Sequence, residues 1–124
     1  MIAADSSSFI AFLQGEKAAD CQAIREALSA GTLTLAPVVV TELYSSSRNT
    51  AILEPILEDL IALDLRPGYW RRAGESRRRL LEQGLKARAV DALVAQACID
   101  AGVSLIARDS DFRHFAKYCG LKLG

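Results

Sequence analysis

Apolar residues along this 124-residue chain fall into two kinds of run. Short ones at 1–4, 33–36, 63–65, 103–107 and 121–123 have the length of buried strands, while the stretches between them carry helical periodicity or helix-forming composition. Helices are predicted over about 8–14, 16–30, 38–47, 50–62, 69–83 and 88–101, with Gly15, Gly31, Gly84 and Gly102 as stops and Pro37, Pro55 and Pro67 near starts or first turns. Segments alternating in this way predict an α/β fold on a parallel sheet. No Gly/Ser linker, internal repeat or low-complexity tract divides the pattern, so residues 1–124 are expected to form one domain.

Four carboxylates stand out by their position in this pattern. Asp5 ends the apolar start Met1-Ile2-Ala3-Ala4, and Asp109 follows Val103-Ser104-Leu105-Ile106-Ala107. Both therefore sit at the carboxyl ends of predicted strands, the edge where open α/β sheets bind ligands. Glu42 follows the apolar Val38-Val39-Val40 opening of a predicted helix. Asp91 lies in the first turn of 88–101, a segment apolar nearly all round and so expected to be buried. Clustered buried carboxylates repel one another and persist only with raised pKa values, bound cations, or both. Mg²⁺ and Mn²⁺ prefer oxygen ligands, and such an ion activates water and stabilises a leaving oxygen. Each acid also has a plainer reading: Asp5 or Asp91 as a helix cap, Glu42 as an ordinary helix residue, Asp109 as the start of an Asp-Ser-Asp turn. Spacing leaves both readings open.

Composition narrows the alternatives. Hydrophobic residues make up 51% of the chain, ample for a core and too many for disorder. Cys21, Cys98 and Cys119 are odd in number, widely spaced and set among apolar neighbours, so they read as small core or near-surface residues rather than a zinc site. His114 lies in the polar and aromatic stretch Asp111-Phe112-Arg113-His114-Phe115, read as a turn, and is expected at the surface. With one histidine there is no Ser/His/Asp or Cys/His arrangement, and no Gly-rich phosphate loop is present. No apolar run approaches the roughly 20 residues that span a bilayer, and the start lacks the basic and apolar regions of a signal peptide, so a cytoplasmic protein without membrane contact is expected.

The motifs Ile2-Ala3-Ala4-Asp5-Ser6-Ser7, Val39-Val40-Thr41-Glu42-Leu43, Asp91-Ala92-Leu93-Val94-Ala95-Gln96-Ala97 and Leu105-Ile106-Ala107-Arg108-Asp109-Ser110-Asp111-Phe112 resemble, in order and spacing, the successive motifs of PIN-domain proteins. Any one is weak; four in order are specific. The resemblance spans essentially the whole chain and is nearest to the short VapC-type toxins of prokaryotic toxin–antitoxin pairs. It implies a three-layer α/β/α sandwich on a mainly parallel sheet of about five strands in the order 3-2-1-4-5, with Asp5 beside Asp109. It also implies that Asp5, Glu42, Asp91 and Asp109 are the catalytic, metal-binding quartet for Mg²⁺ or Mn²⁺, with Asp111 a frequent additional acid and Ser7 a hydroxyl lining the site. The activity implied is endoribonucleolytic hydrolysis of RNA, inhibited by a VapB-like antitoxin and carried by a homodimer. The alternatives are a PIN-like module that binds RNA or protein without cutting, and a DNA nuclease. The family's usual Thr, Ser or Asn two residues before the fourth acid is Ala107 here, so an orienting hydrogen bond is expected to be missing.

The formal net charge is zero, but residues 1–62 hold 3 Lys+Arg against 8 Asp+Glu and residues 63–124 hold 12 against 7. Phosphate binding must then rest on local charge. At 100° per residue Trp70, Ala73, Arg77 and Leu81 share one stripe, which puts Arg77 on the apolar side of its helix, where it must snorkel or find an anion. Arg77, Arg78, Arg88 and Arg108 are the candidate RNA-binding residues. The helices over 38–47 and 50–62, rich in apolar residues, are expected to contribute to the dimer or antitoxin groove.

Overall fold

The computed structural model describes residues 1–46, 48 and 50–124. In chain order these form β1 (Ile2–Ala4), α1 (Ser6–Leu13), α2 (Ala19–Ala30), β2 (Leu33–Thr34), α3 (Pro37–Ser46), α4 (Thr50–Glu58), α5 (Tyr69–Glu82), α6 (Ala89–Ala101), β3 (Ser104–Ile106) and α7 (Phe112–Cys119). β1 is central: it pairs in parallel with β2, Ile2 opposite Leu33, and with β3, Ala3 opposite Leu105 and Ala4 opposite Ile106. A central parallel strand is covered on both faces, and Ala3 and Ala4 are fully buried. α2 packs across β2 and β3, α6 packs against β3, and every strand and helix contributes to one continuous apolar core.

The expected order 3-2-1-4-5 holds, with the outermost two positions reduced to short flanking segments. Leu63 N donates to Leu35 O at 2.9 Å on one side. On the other, Leu105 and Leu123 form an isolated parallel bridge, with Leu105 N donating to Lys122 O at 2.9 Å and Gly124 N to Leu105 O at 2.8 Å. The strand expected at 63–65 cannot extend, because Pro67 has no N–H to give a ladder and Gly68, at φ 81°, turns the chain into α5.

The helices differ from expectation mainly at their ends. α1 begins at Ser6, α2 at Ala19 and α4 stops at Glu58. After α4 the chain leaves its helical path to lie along β2, where Thr34 Oγ1 donates to Ile61 O at 2.7 Å. The predicted end of the third helix at Ser47 lies outside the described residues. The stretch 111–115, read as a turn, opens α7 instead: Phe112 and Phe115 are both buried one helical turn apart, and Gly120 ends the helix at φ 81°. The polar Asp-Ser-Asp start hid that periodicity. His114 is consequently half-buried on α7 instead of exposed, with Nδ1 buried and without a hydrogen-bond partner among the described residues.

The α5 stripe is also rotated from the one expected. Its buried residues are Tyr69, Ala73, Ser76 and Leu80, while Trp70 is 68% and Leu81 46% exposed. α5 packs on α6 and α7, small residues permit the close approach, and the Tyr69 hydroxyl donates to Leu93 O on α6. Cys21 and Cys98 are buried, Cys119 is partly so, and all three are free thiols. Among the described residues no helix is long and apolar enough to cross a membrane.

Candidate metal centre

The ladder between β1 and β3 continues one step past the strands: Asp5 N donates to Ile106 O at 2.9 Å. That bond fixes Asp5 at the carboxyl edge of the sheet, with the turn carrying Asp109 and Asp111 rising from the neighbouring strand. α6 delivers Asp91 to the same edge, and α3 delivers Glu42. The five acids sense one another: repulsion from Asp109 bears on Asp5, from Asp5 and Asp91 on Glu42, and from Asp5, Asp109 and Asp111 on Asp91.

Asp5 is 6% exposed and occupies the N-cap position of α1, yet its carboxylate makes no capping hydrogen bond. Ser7 Oγ instead donates to Asp5 Oδ2 at 3.1 Å. Burial pushes the Asp5 carboxyl up, against the pull of the Ser6 backbone and the Ser7 hydroxyl. Asp91 is not a cap either, since Arg88 holds that position on α6. Burial first, then repulsion from Asp5, pushes Asp91 up to about 6. Glu42 is raised for the same two reasons, burial and Asp5, with the Ser6 hydroxyl acting the other way. Asp109 does serve the turn, accepting from Asp111 N through Oδ1 at 2.9 Å, while its Oδ2 faces Arg88. Asp109 therefore fills the plainer turn role through one oxygen and leaves the other facing Arg88.

Oxygens of Asp91, Asp109 and Asp111 all lie within 4.8 Å of one another. Opposed ligands of a Mg²⁺ ion stand about 4.1 Å apart and those of a larger hard cation about 5 Å. Buried Glu42 Oε1 and Asp91 Oδ2 have no hydrogen-bond partner among the described residues. An all-oxygen donor set with this spacing and two unsatisfied buried oxygens fits a hard divalent cation. Asp111 thus stands in the tightest group, whereas Asp5 and Glu42 border it. Sequence reasoning missed Ser6, which is buried at the first position of α1 and near Glu42; its only signal was the Asp-Ser-Ser run. Neither Ser104 nor Ser110 supplies a side-chain hydrogen bond to these acids among the described residues.

The candidate arginines are placed very differently. Arg88 reaches the acids, with Nη2 at 3.3 Å from Asp109 Oδ2 and Nε at 3.7 Å from Asp91 Oδ2. Arg77 donates through Nε to Ala87 O at 2.8 Å, which pins the residue before Arg88. Arg78 points outward in an exposed pair with Glu82 at 3.7 Å. Arg108 is committed to α2, with Nε at 2.8 Å from Asp20 Oδ2 and Nη1 at 3.3 Å from Glu16. That bond holds Asp20 well below the usual carboxylate range. An apolar cleft lined by Met1, Leu28, Leu33, Pro55, Ile56 and Ile61 is at the amino ends of β1 and β2, away from the acids.

A comparison with curated proteins finds no match. Among solved structures that share the fold are two VapBC complexes. A chain of VapBC2 from Rickettsia felis, bound to a DNA fragment from their promoter, is 21% identical over 100% of this chain and 98% of that one, with a TM-score of 0.77. A chain of DNA-bound VapBC from Salmonella typhimurium is also 21% identical over 100% and 98%, with a TM-score of 0.71. The PIN domain family matches residues 2–118, and with that span this chain belongs to the PIN-domain family.

Proposed function

We propose that this protein is a divalent-metal-dependent endoribonuclease, the toxin of a toxin–antitoxin pair. The observation that carries the reading is the carboxyl-edge acid cluster, in which three carboxylates share a cation-sized space and two buried oxygens lack partners. Membership of the PIN family and the likeness in fold to chains of VapBC complexes support it. Asp91, Asp109 and Asp111 would hold Mg²⁺ or Mn²⁺, with Asp5 and Glu42 completing the acidic wall. Such an ion, when bound, supplies charge for a phosphoryl oxygen and lowers the pKa of water. The chain's own residues orient that chemistry: Ser7 fixes Asp5, the Asp111 backbone fixes Asp109, and Arg88 is the guanidinium nearest an incoming phosphate.

The apolar groove lined by Val40, Tyr44, Leu57 and Leu60 between α3 and the segment after α4 is the proposed seat of an antitoxin segment or of the toxin dimer. Tyr44 is 43% exposed there, and Ile52 on α4 is 54% exposed, a cost that a partner would remove.

The purified chain should cleave a mixed RNA pool with Mg²⁺ or Mn²⁺ and not with chelator, and Asp5→Asn and Asp91→Asn, shown folded by circular dichroism, should lose that cleavage. Cleavage of flapped or single-stranded DNA in preference to RNA would reassign the substrate. Metal binding with no cleavage of any nucleic acid would make the domain a binding module.

A further inference from the structure

We infer that Arg88 is an exchangeable internal cation: it occupies the acid cluster while no divalent ion is bound and gives up Asp91 and Asp109 when one binds. The inference rests on the metal-site reading above and adds a competitor to it.

Among the described residues, the ion pairs whose carboxylate is mostly buried differ in length. Arg72–Asp100 closes to 2.6 Å and Arg108–Asp20 to 2.8 Å. Arg88 stands at 3.3 Å from Asp109 and 3.7 Å from Asp91, and its side chain is 60% exposed. It touches two members of the acid triad and leaves Asp91 Oδ2 without a hydrogen bond. A guanidinium bound there for stability would be expected to close on that oxygen, since a short charge-assisted bond is the strongest contact available to both.

Nor does helix stability explain the position. Arg88 is the N-cap of α6, where the helix macrodipole is positive and a cation is disfavoured. The acids attract it despite the dipole. Its backbone is nevertheless anchored, because Arg77 grips the Ala87 carbonyl at 2.8 Å and Ala87 is only 6% exposed. A fixed root carrying a loosely bound, solvent-reaching head is suited to a swing of the side chain without movement of the helix. A divalent ion on Asp91, Asp109 and Asp111 repels a guanidinium touching two of the same carboxylates, so occupancy by one weakens occupancy by the other.

The test is Mn²⁺ titrated by calorimetry into the full chain, wild type against Arg88→Gln and Arg88→Lys, with thermal melts of each metal-free form. Exchange predicts that Arg88→Gln binds Mn²⁺ roughly two- to tenfold more tightly, the scale of one or two partly exposed ion pairs, and melts at a lower temperature without metal. Arg88→Lys, which keeps the charge, should return affinity toward the wild-type value. A positioning role for Arg88 would give the opposite sign, weaker Mn²⁺ binding in Arg88→Gln, and overturns the inference; equal affinity overturns it too. Both of those outcomes leave the metal site standing. Absence of Mn²⁺ binding by the folded wild type would remove the metal-site reading and this inference together.

Discussion

α6 carries an aspartate near each end, and the two have opposite fates. Asp100, near the carboxyl end, accepts from Arg72 through both oxygens, at 2.6 and 3.2 Å, and from Gln96 at 2.9 Å. Hydrogen bonding to Arg72 holds its carboxyl below the ordinary value. Asp91, in the first turn, faces other acids and is pushed up to about 6 by burial. The helix macrodipole predicts the reverse, since it favours an anion at the first turn and disfavours one at the last. That effect, typically 0.3–1 kcal/mol, is overridden at both ends by the surroundings. Asp100 is satisfied and belongs to the architecture; Asp91 is left short of positive charge, as the proposed cation site would need.

Neutralising the two residues should therefore pull activity and stability in opposite directions. Asp91→Asn is expected to lower metal-dependent cleavage by more than about 100-fold, beyond the roughly 10–100-fold typical of losing an orienting partner alone. The same change relieves repulsion and should raise the melting temperature of the metal-free protein by about 3 °C. Asp100→Asn should leave the cleavage rate within about threefold, since Asp100 lies nine residues, about 13 Å, along α6 from Asp91, and lower the melting temperature. Cleavage lost equally in both, or Asp91→Asn melting lower than wild type, would erase the distinction.

The architecture around Asp100 can be broken from its other side. Ser76 Oγ donates to Gln96 Oε1 at 2.6 Å, and both residues are buried. Gln96→Ala strands the Ser76 hydroxyl and should destabilise by about 2 kcal/mol in chemical denaturation, with metal affinity unchanged.

A change of pH separates the two ends without mutation. Asp91 has a folded value of about 6 against an ordinary 3.8, so the folded state holds its proton more tightly. Its contribution is favourable at low pH and is lost as pH rises from about 4 to 6, after which it is flat. Asp5 and Glu42 are raised and act in the same sense. Asp100 and Asp20 are lowered, so their stabilisation is present above 3.8 and lost as pH falls below it. The difference in unfolding free energy between wild type and Asp91→Asn should change only between about pH 4 and 6; a constant difference from pH 4 to 7 would contradict the raised carboxyl. Mn²⁺ affinity should rise over the same window. The smallest effect is expected at Arg78, whose pair with Glu82 is exposed on both sides. Arg78→Ala should change stability by less than about 0.5 kcal/mol and any loss of RNA affinity should fade with added salt.

Several of these positions were readable in advance. Asp5 and Asp109 follow apolar runs of strand length, and the strand order implied by the family resemblance brings both to one sheet edge. The near-continuous apolar composition of α6 marks Asp91 as a charge in a buried helix. α7 was not readable, because its polar first turn interrupts the pattern and the period shows only in Phe112, Phe115 and Cys119. The arginines were least readable. Arg77, Arg78, Arg88 and Arg108 carry the same charge at comparable positions, yet one pins a loop, one faces water, one sits on the acids and one braces α2.

By itself the sequence determined the alternation of strands and helices, the strand order through a family resemblance, and the identity of the acids that could meet. These follow from local patterning and chain topology, which act over short stretches and are written in residue type. Only the tertiary structure decided which acids crowd closest, that Asp111 joins Asp91 and Asp109, that Asp100 and Asp20 are already neutralised, and that Arg88 alone of the candidate arginines reaches the site. Those outcomes depend on distances of a few ångströms between residues far apart in the chain. Coulomb and desolvation energies change steeply on that scale, whereas sequence spacing does not record it.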